Sequence, residues 1–384
     1  MNISLDLVDY LYSVVIFFTT FIFAIIIGRK FKLSLNMIVV LFLWHSLFSI
    51  IYYTISLLPN STYDSVDYYL ASSQEDLGGV SVGTQFIRYF TSFFTKGFGF
   101  SYLGNFLLYN MIGVVGFFAF VASLKKTNVY KVSNCKKYFF YMLIFLPSLS
   151  FWSSAIGKDV FSFMAIGLSI YSMIDKPKYF LFSISVLFMF LVRPHVAMIM
   201  LVAMMLSVMV YSKTKFYIKF SFVAIGLVVA FVAIPFAIQY VGIQGDISYS
   251  RVIEYIQYRQ TLNQQGGSSL NISSISLPMQ LITYVLRPFP FEAHNSFALF
   301  TSLENVFLLL IFIKGIALFL KKSKSTIRYN YVYMLSFSIV SWVLLATTTA
   351  NLGLASRQKW MFVPVICFLI FAKWQKRDSK HDNE

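Results

Sequence analysis

Positive side chains stand in four separate segments between apolar runs: Lys158 beside Asp159, Arg193 ahead of Pro194-His195, Arg287 ahead of Pro288-Phe289-Pro290, and Arg357. Arginine offers a planar fork that matches phosphate oxygens and lysine offers a point charge, so such groups gathered at one depth would bind a diphosphate. Taken singly, Arg287 would serve equally as an interfacial anchor touching lipid phosphates. Asp64 and Asp67 are spaced to share a face if the chain there is helical. A carboxylate in that position could take the proton from an attacking hydroxyl as a phosphate leaves, and the pair could also hold a divalent cation; a solvated loop with two acids is the plainer alternative. Glu292 is the reserve base. Asp159 reads as the partner of Lys158 or as a helix cap. Glu304 lies inside an apolar run, where a charge is costly unless a cation pairs with it. His195 and His294 belong to no zinc-like spacing, and no phosphate-binding glycine loop, dinucleotide fingerprint or nucleophile elbow is present.

The elements that must position these groups are membrane helices. Hydrophobic residues make up 58% of the 384 and charged residues 12%, against about 25% charged in soluble chains. Apolar runs cover 8–28, 36–58, 102–124, 138–155, 160–174, 179–192, 196–212, 220–239, 297–320, 329–350 and 359–372, which predicts an all-α polytopic bundle of about eleven spans. Most of the 31 lysines and arginines fall in alternate loops, around residues 29–32, 125–137, 176–178, 213–219, 321–328 and 373–380. By the positive-inside rule those loops are cytoplasmic, with the N-terminus outside and the C-terminus inside. The formal charge of +16 is thereby read as a topology signal, and nucleic acid is not an expected partner. The first apolar run has no basic leader or cleavage site and is expected to stay in the membrane. Cys135 falls in a basic loop and Cys367 in a span, so no disulfide framework is expected.

Residues 1–384 read as a single integral membrane domain. Its first outer loop, 59–101, carries Val82, Phe86, Ile87, Phe90, Phe93 and Phe94 at helical spacing, which predicts an amphipathic helix on the outer surface. The long outer loop, 240–296, contains the polar run 264–269 and reads as a lid. Two triplets with the form of glycosylation acceptors, at Asn60 and Asn271, also lie outside. Runs 160–174 and 179–192 are only 15 and 14 residues long. At a rise of roughly 1.5 Å per residue they span about 21 to 22 Å, less than the hydrocarbon core of about 30 Å. Lys176 and Lys178 can snorkel on the inner side. Asp159 and His195 cannot reach far, so a cationic cavity is expected beneath the outer face. Lys314 is read as a snorkelling residue.

Several short motifs together resemble the O-antigen polymerases (Wzy-type), and more loosely the C-type membrane glycosyltransferases. They are the Asp64-to-Tyr69 loop, Phe151-Trp152-Ser153-Ser154 running into Lys158-Asp159, Arg193-Pro194-His195, the segment from Arg287 to Asn295 with Ser302-Leu303-Glu304-Asn305, and Asn351-x-Gly353 before Arg357. The resemblance implies joining of undecaprenyl-diphosphate-linked repeat units into O-antigen or capsular polysaccharide at the periplasmic face of the bacterial inner membrane, without nucleotide sugars. C-type transferases carry an acidic pair in the first outer loop, which Asp64 and Asp67 resemble. The long loop departs from the pattern, being shorter and poorer in arginine than the two large periplasmic loops of such polymerases. On this reading Asp64, Asp67 and Glu292 are the candidate bases, and Lys158, Arg193, His195, Arg287, Arg357 and Glu304 the candidate substrate contacts. Expected partners are the lipid-linked glycan, membrane lipid and, as a candidate, a chain-length regulator. No cofactor is expected beyond the divalent cation considered at Asp64 and Asp67. Competing readings are a transferase using a polyprenyl-phosphate sugar and a polysaccharide flippase; the latter predicts a repeat symmetry that is not visible in the chain.

Overall fold

The computed structural model describes residues 6–59, 63–79, 81–211, 215–217, 219–220, 224, 257–258, 260–261, 270, 275–293, 295–326 and 330–375. The expected span 220–239, the polar run 264–269, both glycosylation-type triplets and His294 lie outside them, apart from Phe220 and Ala224. Among the described residues the elements are α-helices and two short 3-10 helices, Pro290–Glu292 and Lys359–Met361, with no strand.

Five helices are long and apolar enough to cross a membrane: α1 (Leu7–Lys30), α2 (Leu35–Ser56), α5 (Tyr102–Lys125), α13 (Ser296–Leu320) and α14 (Tyr331–Thr348). A sixth candidate is the bent pair Leu352–Met361 and Val363–Lys373, whose axes differ by 53°. The chain is therefore a helical membrane protein. Other apolar runs are shorter or broken. Run 138–155 divides into α7 (Asn134–Ile144) and α8 (Pro147–Trp152), because Pro147 lacks the N–H a continuous helix needs and disfavours helical geometry at Leu146.

The chain forms two compact units. The first comprises Met1–Ala122, Phe145–Met173 and Pro177–Met198; the second comprises Ser123–Ile144, Ile174–Lys176 and Ile199–Glu384. In the first unit, Asp6 caps α1 through a capping box with Asp9, and Phe17 and Phe21 meet Phe42 of α2 at centroid separations of 5.5 and 5.1 Å. α5 then crosses α9 (Lys158–Met173) at two glycines. A Cβ on Gly167 would collide with the Gly116 carbonyl, and one on Gly116 with the Met164 backbone. Without side chains there, the backbones approach closely. α9 returns as α10 (Tyr179–Val192), with the Ser185 hydroxyl donating to Ala165 O at 2.6 Å. The segment expected as the first outer loop is itself helical among its described residues: α3 (Asp64–Ser72) packs on α4 (Thr84–Phe98). α4 is the helix its aromatic spacing predicts, and it is entered through Gly83 at φ +76°, a conformation glycine adopts without strain.

In the second unit α12 (Leu277–Leu286), α13, α14, α15 (Leu352–Gln358) and α16 (Val363–Lys373) pack together. The Trp342 indole N–H donates to Leu281 O at 3.0 Å, and its ring stacks on Phe362. Short α6 (Val129–Val132) and α7 belong to this unit as well. Here Lys136 is fully buried, its ammonium donating to Thr127 O and to Trp374 O just past α16. Burial pushes that ammonium down to about 7. Cys135 is exposed, Cys367 is buried, and both are free thiols.

Candidate functional site

The densest set of predicted residues lies in the first unit, where α10 stops. Val192 is the last helical residue; Arg193, at φ −146° and ψ 77°, has left the helical region that Pro194 disfavours for the residue before it. Pro194 then opens α11 (Pro194–Tyr211). The break turns the Arg193 side chain onto the first turns of α9. Its Nη2 meets Asp159 Oδ1 at 2.6 Å and its Nε donates to Ser162 Oγ at 3.1 Å. Both charged side chains are nearly buried, at 10% and 12% exposure. Asp159 is thus held by Arg193, a partner its place in the sequence does not indicate. Lys158 donates to Thr84 Oγ1 at 3.3 Å in the first turn of α4, and Gly83 N donates to Leu191 O at 2.7 Å. The starts of α4, α9 and α11 are therefore tied to one corner, and each contributes the positive end of its backbone dipole. His195, partly exposed, occupies the first turn of α11 beside Arg193.

Two hydrogen bonds use one edge of the Arg193 guanidinium, and Nη1 has no partner among the described residues. A carboxylate and a hydroxyl orient the fork while leaving donors to spare, which suits it to receive an anion without reorganising. Asp64 and Asp67 sit in the first turn of α3, on one face as their spacing requires. Ser65 between them is buried and accepts from the Tyr102 hydroxyl at 3.0 Å, which itself meets Ser56 Oγ at 2.9 Å. The ends of α2 and α5 thereby fix α3. Asp64 is half-buried and Asp67 exposed. Among the described residues no group of three or more His, Cys, Asp and Glu gathers in a way that could hold a metal.

The first unit also contains a buried polar network that the expected site did not include. His45 Nδ1 lies 2.6 Å from Asn110 Oδ1, its Nε2 lies 2.9 Å from Ser153 Oγ, and its ring stacks on Phe117. All three polar side chains are within 2% of full burial. The groups resemble a nucleophile relay in type, yet Ser153 Oγ donates to Leu149 O at 2.6 Å and the cluster is sealed. Its work is to join α2, α5 and the segment after α8 that leads to Lys158. A histidine and an asparagine in the middle of apolar runs were the available signals.

In the second unit Arg287 grips Glu292 with two nitrogens, Nη2 to Oε1 at 2.7 Å and Nε to Oε2 at 3.1 Å. Glu292 Oε2 also accepts from Phe289 N at 2.8 Å. Both oxygens of Glu292, the reserve base of the sequence reading, are thus engaged by the guanidinium and a backbone N–H. Pro288 O accepts from Asn305 Nδ2 at 3.1 Å, and Asn305 Oδ1 accepts from Lys359 Nζ. Lys359 and Asn305 are fully buried and Glu304 nearly so, and Glu304 acts electrostatically on Lys359. Lys359, at the bend between α15 and α16, is thus a buried cation within electrostatic reach of Glu304, while its hydrogen bond goes to Asn305. Reading Lys359 as the first residue of a span concealed it, although on the expected topology that end is the outer one, where the positive-inside rule leaves a lysine unexplained. Arg357 is half-buried in the last turn of α15, after Asn351 caps that helix at Gly353 N and Leu354 N. The nine expected residues thus divide into a set in the first unit (Asp64, Asp67, Lys158, Arg193, His195) and a set in the second (Arg287, Glu292, Glu304, Arg357).

Comparison with protein-family models, curated proteins and solved structures found no match.

Proposed function

We propose that this chain is a multi-pass glycosyltransferase of a bacterial inner membrane, joining undecaprenyl-diphosphate-linked repeat units into a surface polysaccharide on the periplasmic side. In this reading the chain crosses the membrane about eleven times, the short helices included, with its N-terminus outside. The observation that carries it is the Arg193 corner: a nearly buried guanidinium, oriented by Asp159 and Ser162, with Lys158 and three helix starts around it. As the sugar–phosphate bond breaks, charge grows on the departing diphosphate. Cations already in place stabilise that charge more than they stabilise the ground state. Asp64 or Asp67 takes the proton from the attacking sugar hydroxyl.

The acidic pair on α3 favours a second reading, transfer of a single sugar from a polyprenyl-phosphate donor. Proteoliposomes containing the purified chain and a synthetic diphosphate-linked repeat unit separate the two. A product ladder supports polymerisation. Addition of one sugar from a polyprenyl-phosphate donor, with no ladder, supports single transfer, and no product from either donor overturns both.

A further inference from the structure

In the second unit the turn between α13 and α14 meets the end of α16, and the charges there are of one sign. Thr326 N and Oγ1 both donate to Ala372 O, at 3.0 and 3.2 Å, so the turn that carries the exposed Lys321, Lys322 and Lys324 is pinned to the end of α16 beside Lys373. The Lys373 ammonium lies 5.0 Å from the centroid of the Phe319 ring and 5.3 Å from that of Tyr331. Two aromatic rings hold that cation in place without neutralising it. Carboxylates do not neutralise it either. No ion pair among the described residues includes any of these lysines, and the sequence has no Asp or Glu between Glu304 and Asp378. Apolar surface adjoins the charge: Ile316, Phe319 and Leu320 share one face of α13 and are 60%, 67% and 73% exposed. Lys373 stands at the edge of that face, since it rests on Phe319. A lysine can signal topology from any position in an inner loop. One fixed over two rings at the border of an exposed apolar face is a placed charge.

We propose that this corner binds an anionic phospholipid, its headgroup phosphate paired with Lys373 and the lysines of the turn, and an acyl chain lying along Ile316, Phe319 and Leu320. In the topology proposed above this end faces the cytoplasm, where the membrane surface is negative. The inference does not depend on the glycosyltransferase reading. The full-length protein in neutral detergent is titrated with phosphatidylglycerol, phosphatidylcholine and glycerol 3-phosphate, and bound ligand is counted by native mass spectrometry. The variants are Lys373→Met, Lys373→Arg, the double variant Lys321→Gln/Lys324→Gln and, as a control in another basic segment, Lys137→Gln. Wild type is expected to bind phosphatidylglycerol saturably and more tightly than the other two ligands. Lys373→Met should weaken that binding about fivefold, the scale of one basic residue against anionic lipid, while Lys373→Arg and Lys137→Gln keep wild-type affinity. Unchanged affinity in Lys373→Met overturns the proposal. So does an equal loss in Lys137→Gln, which marks diffuse attraction to basic loops, and so does equally tight binding of glycerol 3-phosphate, which marks a site for free anions. If Lys373→Met does not fold, the double variant decides: a severalfold loss supports the proposal and unchanged affinity overturns it.

Discussion

Arg193 and Asp159 illustrate how a short apolar run turns into a charged site. The pair is nearly out of solvent, so removing one partner strands the other charge. Asp159→Asn should lower unfolding stability in detergent by about 3 kcal/mol, measured by denaturant melts; a change within about 0.5 kcal/mol would mean that Arg193 reaches water. Glu304 and Lys359 invite a double-mutant cycle. Glu304→Gln and Lys359→Met should each destabilise, and the double variant should recover about 1 to 3 kcal/mol relative to the sum. Strict additivity would separate them. At this scale the sequence was readable where a charge interrupted an apolar run: Asp159 and Arg193 are in polar contact as their depth demands. Partner identity was not readable, because Arg193 reaches Asp159 across 34 positions and Lys359 reaches Asn305 across 54. Which groups meet is set by helix packing, on which local spacing is silent.

Among the elements, α9 is the one whose placement matters most, since it presents Lys158, Asp159 and Ser162. Its register against α5 depends on Gly116 and Gly167, where any Cβ strikes backbone. Gly167→Ala should cost about 1 to 3 kcal/mol, read from thermal melts. Gly315→Ala should cost less, because the added carbon meets only the side chain of Ile370. Equal losses at both would remove the distinction between a backbone crossing and a side-chain contact. The bounds of α10 were fully legible, and those of α9 nearly so, because charges and Pro194 punctuate them. The break at Leu146-Pro147 was passed over in favour of one run, since uniform apolar composition hides a helix end. α4 was visible because its aromatic residues recur with the period of a helix resting on a partner.

For the whole molecule, the two native thiols test orientation. Cys135 is exposed and Cys367 buried, so a membrane-impermeant maleimide should label the wild-type chain in inverted vesicles and not in intact cells; the opposite pattern would reverse the topology. Stability should also depend on pH through Lys136. Its ammonium titrates near 7 when folded, against 10.5 for an ordinary lysine, so between those pH values the unfolded chain holds the extra proton. Raising pH from 7 towards 10 therefore favours the folded state through this group. Lys136→Met should show a shallower rise in melting temperature over that interval than the wild type, and parallel curves would mean that Lys136 stays charged when folded. Composition and the alternation of basic loops made the membrane class legible at this scale. The division into two compact units was not, because it depends on contacts between segments far apart in the chain. Replacing Arg193 by Ala in cells that rely on this protein for their surface polysaccharide tests the central claim most directly. At wild-type protein level in the membrane, the account predicts that the polysaccharide ladder collapses to single repeat units, with partial recovery in Arg193→Lys; a full-length ladder from Arg193→Ala would contradict it.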